Sequence, residues 1–325
     1  VFSFQILPVL TLDILDIEQF TFLQGEEQEI ELTATPQLKS VAAMVAYGGN
    51  ILSFDSPSPA PNSSYEVTSY APLVRCRAAN ETEQSRLLKG ATDMGFAPPL
   101  TTNHSTKWSS AADFNSGEIG YLAVYDEHNN VTLGEKYAVY DNVTDGEVKY
   151  PIYDSILVAL QRKNTTSKYQ SDTEYISCSL WNSTLKFSIN IVSGRSRVEN
   201  ITTTWENPIN ASVLYDDNYN TSNPMAYLSY FSAVTNYIIG RGQYITSNYS
   251  NTTDNFTMAG EVFGSTLSFN SQFRAMTMDI ASHLDEELTP RITKSENLRN
   301  TSFSHDLEQL ALNTSISLYR DSQFW

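Results

Sequence analysis

The chain has 325 residues, 41% of them hydrophobic and only 18% charged, with a formal net charge of −17 and two cysteines. That length and apolar content suit one large or two ordinary globular domains and exclude wholesale disorder. An acidic chain without a basic stripe is repelled by phosphate, so neither nucleic acid nor an anionic lipid surface is an expected partner.

The N-terminal segment reads as a strand. Phe2, Phe4, Ile6, Leu10, Leu12 and Ile14 share one parity, while Ser3, Gln5, Thr11 and Asp13 share the other. Pro8 interrupts the run and favours an edge position or a bulge. An exposed strand of this pattern is an aggregation hazard and has to be covered. It either pairs within its own domain or adds to a neighbouring subunit, which would link copies head to tail into a filament. Those six apolar residues are the candidate interface. Farther on, Glu26 and Glu27 precede an alternation of Glu29 and Glu31 with Ile30 and Leu32, the pattern of a strand with one wet face.

Ser56–Ser64 is rich in Pro and Ser and reads as a loop. Ile119–Tyr125 and Val131–Tyr140 flank Asn129-Asn130 as a hairpin, and Asp145-Gly146 supplies a tight turn before Val148–Tyr153. Strands are expected at Ser155–Gln161, Glu174–Leu180, Leu185–Ile191 and Val198–Trp205. The apolar parity shifts between Leu180 and Leu185, placing a bulge or turn near Trp181–Thr184. Cys178 shares parity with Ile176 and Leu180 and is expected to point inward.

Helices come later. Asn223 suits an N-cap with Pro224 at the first helical position, and Tyr227, Phe231, Val234 and Ile238 form a stripe stopped by Gly240 and Gly242. A second helix is expected over Ser271–Leu288, ended by Thr289-Pro290, and a short third around His305–Leu312. The expected fold class is therefore mainly β, with antiparallel sandwich-like sheets and two or three helices in the C-terminal third. The expected divisions are an N-terminal strand segment (1–55), a β-rich domain (56–222) and a helix-containing region packed on it (223–325).

Asn-x-Ser/Thr triplets dominate the composition. They occur at Asn62, Asn80, Asn103, Asn130, Asn142, Asn164, Asn182, Asn200, Asn210, Asn220, Asn248, Asn251, Asn255, Asn300 and Asn313, which is 15 of 25 asparagines. Chance at this Ser/Thr content gives about five, so the chain reads as an extracellular product of the secretory pathway carrying N-linked glycans. The triplets are absent from 1–61 and 256–299, and those stretches are where surface for contacts remains. In such a chain Cys76 and Cys178 form one disulfide, their spacing being wrong for a redox CxxC or a short metal-ligand pair. No apolar run approaches the roughly 18–20 residues of a membrane span, the longest being Val1–Leu10 and Val41–Tyr47. The chain starts at Val1 with neither Met nor a signal-peptide n-region and reads as a mature or trimmed segment.

Catalytic patterns are missing. His104, His128, His283 and His305 make no HExxH or HxH spacing, and GxSxG, P-loop and GxGxxG patterns do not occur. Asp141–Gly146 superficially suits a calcium loop, but Val143 stands where an oxygen ligand is needed. No cofactor, metal or catalytic residue is expected. Two carboxylates would suffice for a glycosidase, and the 19 Tyr, 15 Phe and 4 Trp could line a sugar platform, so a carbohydrate-binding or carbohydrate-active cell-wall domain is the alternative.

Asn62-Ser63-Ser64-Tyr65 leading to Cys76, the run Ser177–Thr184, and Leu307–Leu310 with Asn313-Thr314-Ser315 together resemble the large extracellular region of multi-pass membrane glycoproteins of filamentous ascomycete fungi. The resemblance spans residues 60–320. It implies a glycosylated ectodomain between transmembrane helices, with its two cysteines paired. That family carries no established activity, so no functional residue is transferred. The expectation is a non-enzymatic surface or matrix protein acting through protein contacts, self-assembling if the N-terminal strand is donated. Its membrane attachment is an open point.

Overall fold

The computed structural model describes residues 5–6, 17–24, 27–34, 36–54, 62–93, 96–97, 117–126, 153–163, 171–210, 222–245, 255–274 and 299–320. The expected strands at 131–140 and 148–152, and the helix beyond residue 274, lie outside them.

The fold is mainly antiparallel sheet with helices packed on it. Its centre is a pair of long strands, β4 (Asn62–Ala78) and β8 (Ser171–Val192), in unbroken register from Asn62↔Val192 to Ala78↔Ile176. The remaining strands of this sheet are β1 (Gln5–Ile6), β5 (Phe96–Ala97), β6 (Gly117–Tyr125), β7 (Ser155–Lys163), β9 (Arg195–Pro208), β10 (Gly240–Ile245) and β11 (Asn255–Ala259). The order is β1-β4-β8-β7-β6-β10-β11, with β5 beside β6 and β9 beside β8. A separate hairpin pairs β2 (Ile17–Gln24) with β3 (Glu27–Ala34). Glu29 and Glu31 fall on that expected strand, opposite Phe22 and Phe20 in register.

Two expected strands, Glu174–Leu180 and Leu185–Ile191, are one. β7 pairs with the first half of β8 and β9 with the second, so the sheet forks near Ser179–Trp181. Leu180 N–H donates to Asp154 O at 2.8 Å and Ile209 N–H to Leu180 O at 2.9 Å, which fills the fork. The parity shift is real, but it marks a change of buried face. Ile176, Cys178 and Leu180 are buried in one cluster, and Leu185, Phe187, Ile189 and Ile191 in another. The β8–β9 register slips at Asn182/Ser183, inside the expected bulge region. The two strands are joined by Ser193 and Gly194, both at positive φ (51° and 76°), the twist a two-residue hairpin turn needs.

The edge of β4 explains a proline in mid-strand. Pro72 lacks an N–H, which a strand tolerates only where that group would face away from its neighbour. The helix α4 (Phe303–Leu318) lies along this edge. Cys76 N–H donates to Glu308 Oε1 at 2.7 Å, the Ser315 hydroxyl to Pro72 O, and Tyr319 OH to Tyr70 O at 3.2 Å. Side chains of α4 thus stand in for a missing strand. Asn62–Ser64, expected in a loop, begin β4.

Helix α3 (Ser222–Thr235) starts one residue before Asn223, so Asn223 and Pro224 lie inside its first turn rather than at the cap, and it ends before Ile238. α4 extends the expected 305–312 helix in both directions, with the Ser302 hydroxyl accepting from His305 N–H. Gly240 and Gly242, read as a stop, also open β10. Two helices stand earlier as well: α1 (Pro36–Gly48) and α2 (Glu81–Asp93). In α1, Leu38, Ala42, Val45 and Ala46 follow helical spacing and are buried. One core cluster joins them to Tyr121, Val158, Phe231, Phe273, Phe303 and Leu307, drawing on all three expected segments. Against the opposite face, α2 buries Leu87 on Leu122, Leu157 and Ala159.

Candidate functional site

Cys76 and Cys178 are bonded, directly opposite each other on β4 and β8 with Cα atoms 4.1 Å apart. This is the narrow type of antiparallel pair, in which the peptide groups turn away from the partner strand. Cys178 is fully buried, as its parity implied, among Ile156, Val158 and Leu180.

Of the sequon asparagines, seven have described side chains. Asn62, Asn80, Asn200, Asn210 and Asn300 are exposed, while Asn182 and Asn313 are half-buried. Four hold their place through the carbonyl oxygen. Oδ1 accepts from Ser193 N–H in Asn62 (3.2 Å), Glu83 N–H in Asn80 (3.0 Å), Tyr227 OH in Asn182 (3.0 Å) and Ser271 OH in Asn300 (3.3 Å). In each the Nδ2 atom, where a glycan attaches, is not the anchoring group. In Asn200 and Asn313 it is, donating to Ser188 Oγ at 2.9 Å and to Gly49 O at 3.4 Å. Asn313 stands inside α4. Asn103, Asn130, Asn142, Asn164, Asn220, Asn248 and Asn251 lie outside the described residues, and Asn255 is described only as a position in β11.

Asn80 also caps α2. Glu83 accepts back from Asn80 N–H at 2.8 Å, completing a reciprocal capping box, and also takes Arg77 at 2.6 and 2.8 Å and Ser177 OH at 3.1 Å. Burial alone would raise the Glu83 carboxyl; the hydrogen bonds from Arg77, Asn80 and Ser177 outweigh it and hold the group below its ordinary value. The Asn-x-x-Glu pattern carries this cap in the sequence, beneath the sequon that overlaps it.

The candidate interface at the N-terminus is described at one position. Ile6 lies in β1, whose Gln5 and Ile6 pair in parallel with Glu66 and Val67 of the same chain. Phe2, Phe4, Leu10, Leu12 and Ile14 lie outside the described residues. A different apolar surface lies nearby in sequence. Met44 (43% exposed) and Tyr47 (50%) share the outer side of α1, and Phe269 (44%) ends the second of two 3-10 turns, Glu261–Phe263 and Thr266–Phe269. Thr266 OH donates to Ala46 O at 2.9 Å and Tyr47 OH to Glu261, which fastens α1 to those turns. The bond to Glu261 raises the Tyr47 phenol to about 12, so it stays neutral at physiological pH. These residues all belong to the sequon-free stretches.

The aromatic residues divide between core and sheet face. Tyr121 is buried against Phe263, Phe273 and Phe303 and donates to Ile238 O at 2.6 Å. Trp181 and Trp205 meet edge to face, and the Arg75 guanidinium lies over both, 4.9 and 5.3 Å from the ring centroids. The cation engages the indole faces a sugar platform would offer. His305 is exposed on the first turn of α4; the other three histidines lie outside the described residues. Among the described residues no cluster of His, Cys, Asp or Glu could hold a metal, and no helix is long and apolar enough to cross a membrane. No family model matches the chain, and no curated protein or solved structure matches it either.

Proposed function

We propose that this chain is a non-enzymatic, N-glycosylated extracellular surface protein that works through protein contacts made on a glycan-free side. One observation supports this reading above the others. Of the five large hydrophobic side chains exposed among the described residues, Met44, Tyr47 and Phe269 fall in the two sequon-free stretches. Exposed apolar groups on elements that touch, rimmed by polar residues, are what a contact surface needs. The resemblance to fungal multi-pass glycoproteins would place this surface outside the cell, beside a membrane. The N-terminal strand, whose Gln5 and Ile6 pair with β4 of the same chain, would have to exchange that pairing to serve as a second route to self-assembly.

Sedimentation of the secreted glycoprotein tests the proposal. Concentration-dependent association is expected, and Met44→Glu with Phe269→Glu should weaken it at least tenfold, about 1.4 kcal/mol, an ordinary loss for two interface anchors. Deleting residues 1–20 separates strand donation from contacts through α1. The alternative, a carbohydrate-binding or carbohydrate-active cell-wall domain, would use the Trp181–Trp205 pair with Arg75 displaced from the indole faces. A monomer at all concentrations that binds a glycan array, with loss of binding in Trp181→Ala, would replace the first reading.

A further inference from the structure

The two remaining exposed hydrophobic side chains are each beside a sequon. Tyr70 is 63% exposed and Val192 62% exposed. In the β4–β8 register Val192 stands directly opposite Asn62, while Tyr70 stands opposite Thr184, the third residue of the Asn182 sequon. Directly paired residues of an antiparallel ladder share a face, so Asn182 and Tyr70 are diagonal neighbours on one side of the sheet.

Between Val192 at its far end and Tyr70, that side is polar. Asn62, Ser64, Glu66 and Thr68 of β4 are exposed on it, as is Lys186 of β8. Tyr70 is the aromatic break in this ladder. The Asn182 side chain is already oriented beside it, because Tyr227 OH holds its Oδ1 at 3.0 Å. Burial pushes the Tyr227 phenol up to about 12, with Tyr70 close enough to add to the effect, so the donor keeps its proton at any physiological pH. Diagonal cross-strand partners lie about 7–8 Å apart, a span bridged by an amide side chain extended by one pyranose ring. The C–H face of such a ring is apolar and flat enough to cover a phenol.

We infer that the first sugar of a glycan on Asn182 packs against the ring of Tyr70, making that glycan a structural part of the β4–β8 sheet. The inference rests on the glycoprotein reading. Val192, directly opposite Asn62 rather than diagonal to it, is an aliphatic neighbour of a second sequon.

The test uses the protein secreted from eukaryotic cells. Glycopeptide mapping comes first. Glycans at other sequons with none at Asn182 overturn the inference and leave the glycoprotein reading intact, whereas no glycans at all overturn both. With Asn182 occupied, melting temperatures are compared for the parent, Asn182→Gln, Tyr70→Thr and the double variant. Tyr70→Thr is expected to lower Tm by about 2–3 °C and Asn182→Gln by at least as much, since it also disturbs the Tyr227 hydrogen bond. The double variant should lose no more than Asn182→Gln alone, because the Tyr70 contact needs the glycan. Additive losses, or an unchanged Tyr70→Thr, overturn it. Should Asn182→Gln fail to fold, the parent trimmed to a single N-acetylglucosamine per site serves instead. Upfield ring-current shifts of one sugar's protons that vanish in Tyr70→Thr support the contact, and shifts that persist refute it.

Discussion

Reducing Cys76–Cys178 probes how much of the fold depends on its longest covalent shortcut. The bond closes a sequence separation of 102 residues. The loop-entropy relation gives about 4.7 kcal/mol for restricting the unfolded chain over that length. In the folded protein the bond adds little, because β4 and β8 are zipped in continuous register on both sides of it and hold the sulfurs together regardless. Cys178 is buried in a strand pair held by its own register, so reduction is expected to keep the packing and isolate the chain constraint. Urea unfolding followed by tryptophan fluorescence, with and without reductant, should therefore show a loss of about 4–5 kcal/mol. The slope should also steepen, as the released unfolded chain exposes more surface. Cys76→Ala with Cys178→Ala should lose about 1–2 kcal/mol more, from the cavity left at position 178. A loss below about 1 kcal/mol at unchanged slope would refute the reasoning, since it would require the unfolded chain to keep β4 and β8 together unaided.

Glu83→Ala should destabilise by about 2–3 kcal/mol, losing the Glu83 half of the α2 capping box and leaving the buried Ser177 hydroxyl without this partner. Because Glu83's folded pKa is depressed, its contribution is present above the ordinary value of 4.5 and disappears as pH falls through the folded pKa. Urea midpoints measured across that window should lose part of their acid-side slope in the variant. Gly260→Ala should cost about 3 kcal/mol or more, because φ is +116° and a Cβ would sit 2.5 Å from Ile239 O and 2.7 Å from Gly240 Cα. Gly194→Ala, at φ +76° with open space around it, should cost only about 1 kcal/mol, both losses being read by urea unfolding. Glycopeptide mapping should find Asn62, Asn80 and Asn300 occupied and Asn313 bare, because a glycan there would break the contact between α4 and Gly49. An occupied Asn313 would show that this end of α4 tolerates displacement.

What was legible in the sequence is what depends on near neighbours along the chain. Alternation placed β6, β7, β9 and both halves of β8, Asn223-Pro224 marked the start of α3 to within a residue or two, and parity pointed Cys178 into the core. What was not legible depends on partners far away. β4 is hidden because Pro72 stands in its middle and its buried parity changes beside it; the strand survives there because α4, more than two hundred residues later, supplies hydrogen bonds along that edge. α1 looked like a bare apolar run because its spacing makes sense only once the sheet and α4 cover Leu38, Ala42, Val45 and Ala46.

The candidate sites divide the same way. The sequence by itself determined the inventory: fifteen sequons, two cysteines and two stretches without sequons. Only the tertiary structure decided which asparagine is tied by Oδ1 and which by Nδ2, and that Met44 and Tyr47 stand on a helix fastened to the turns bearing Phe269. It alone set Tyr70 diagonally across from Asn182. The physical reason is register. A sequon or a hydrophobic alternation is written within a few residues, whereas the neighbour it meets is set by strand pairing over a hundred residues away, and no local pattern encodes that alignment.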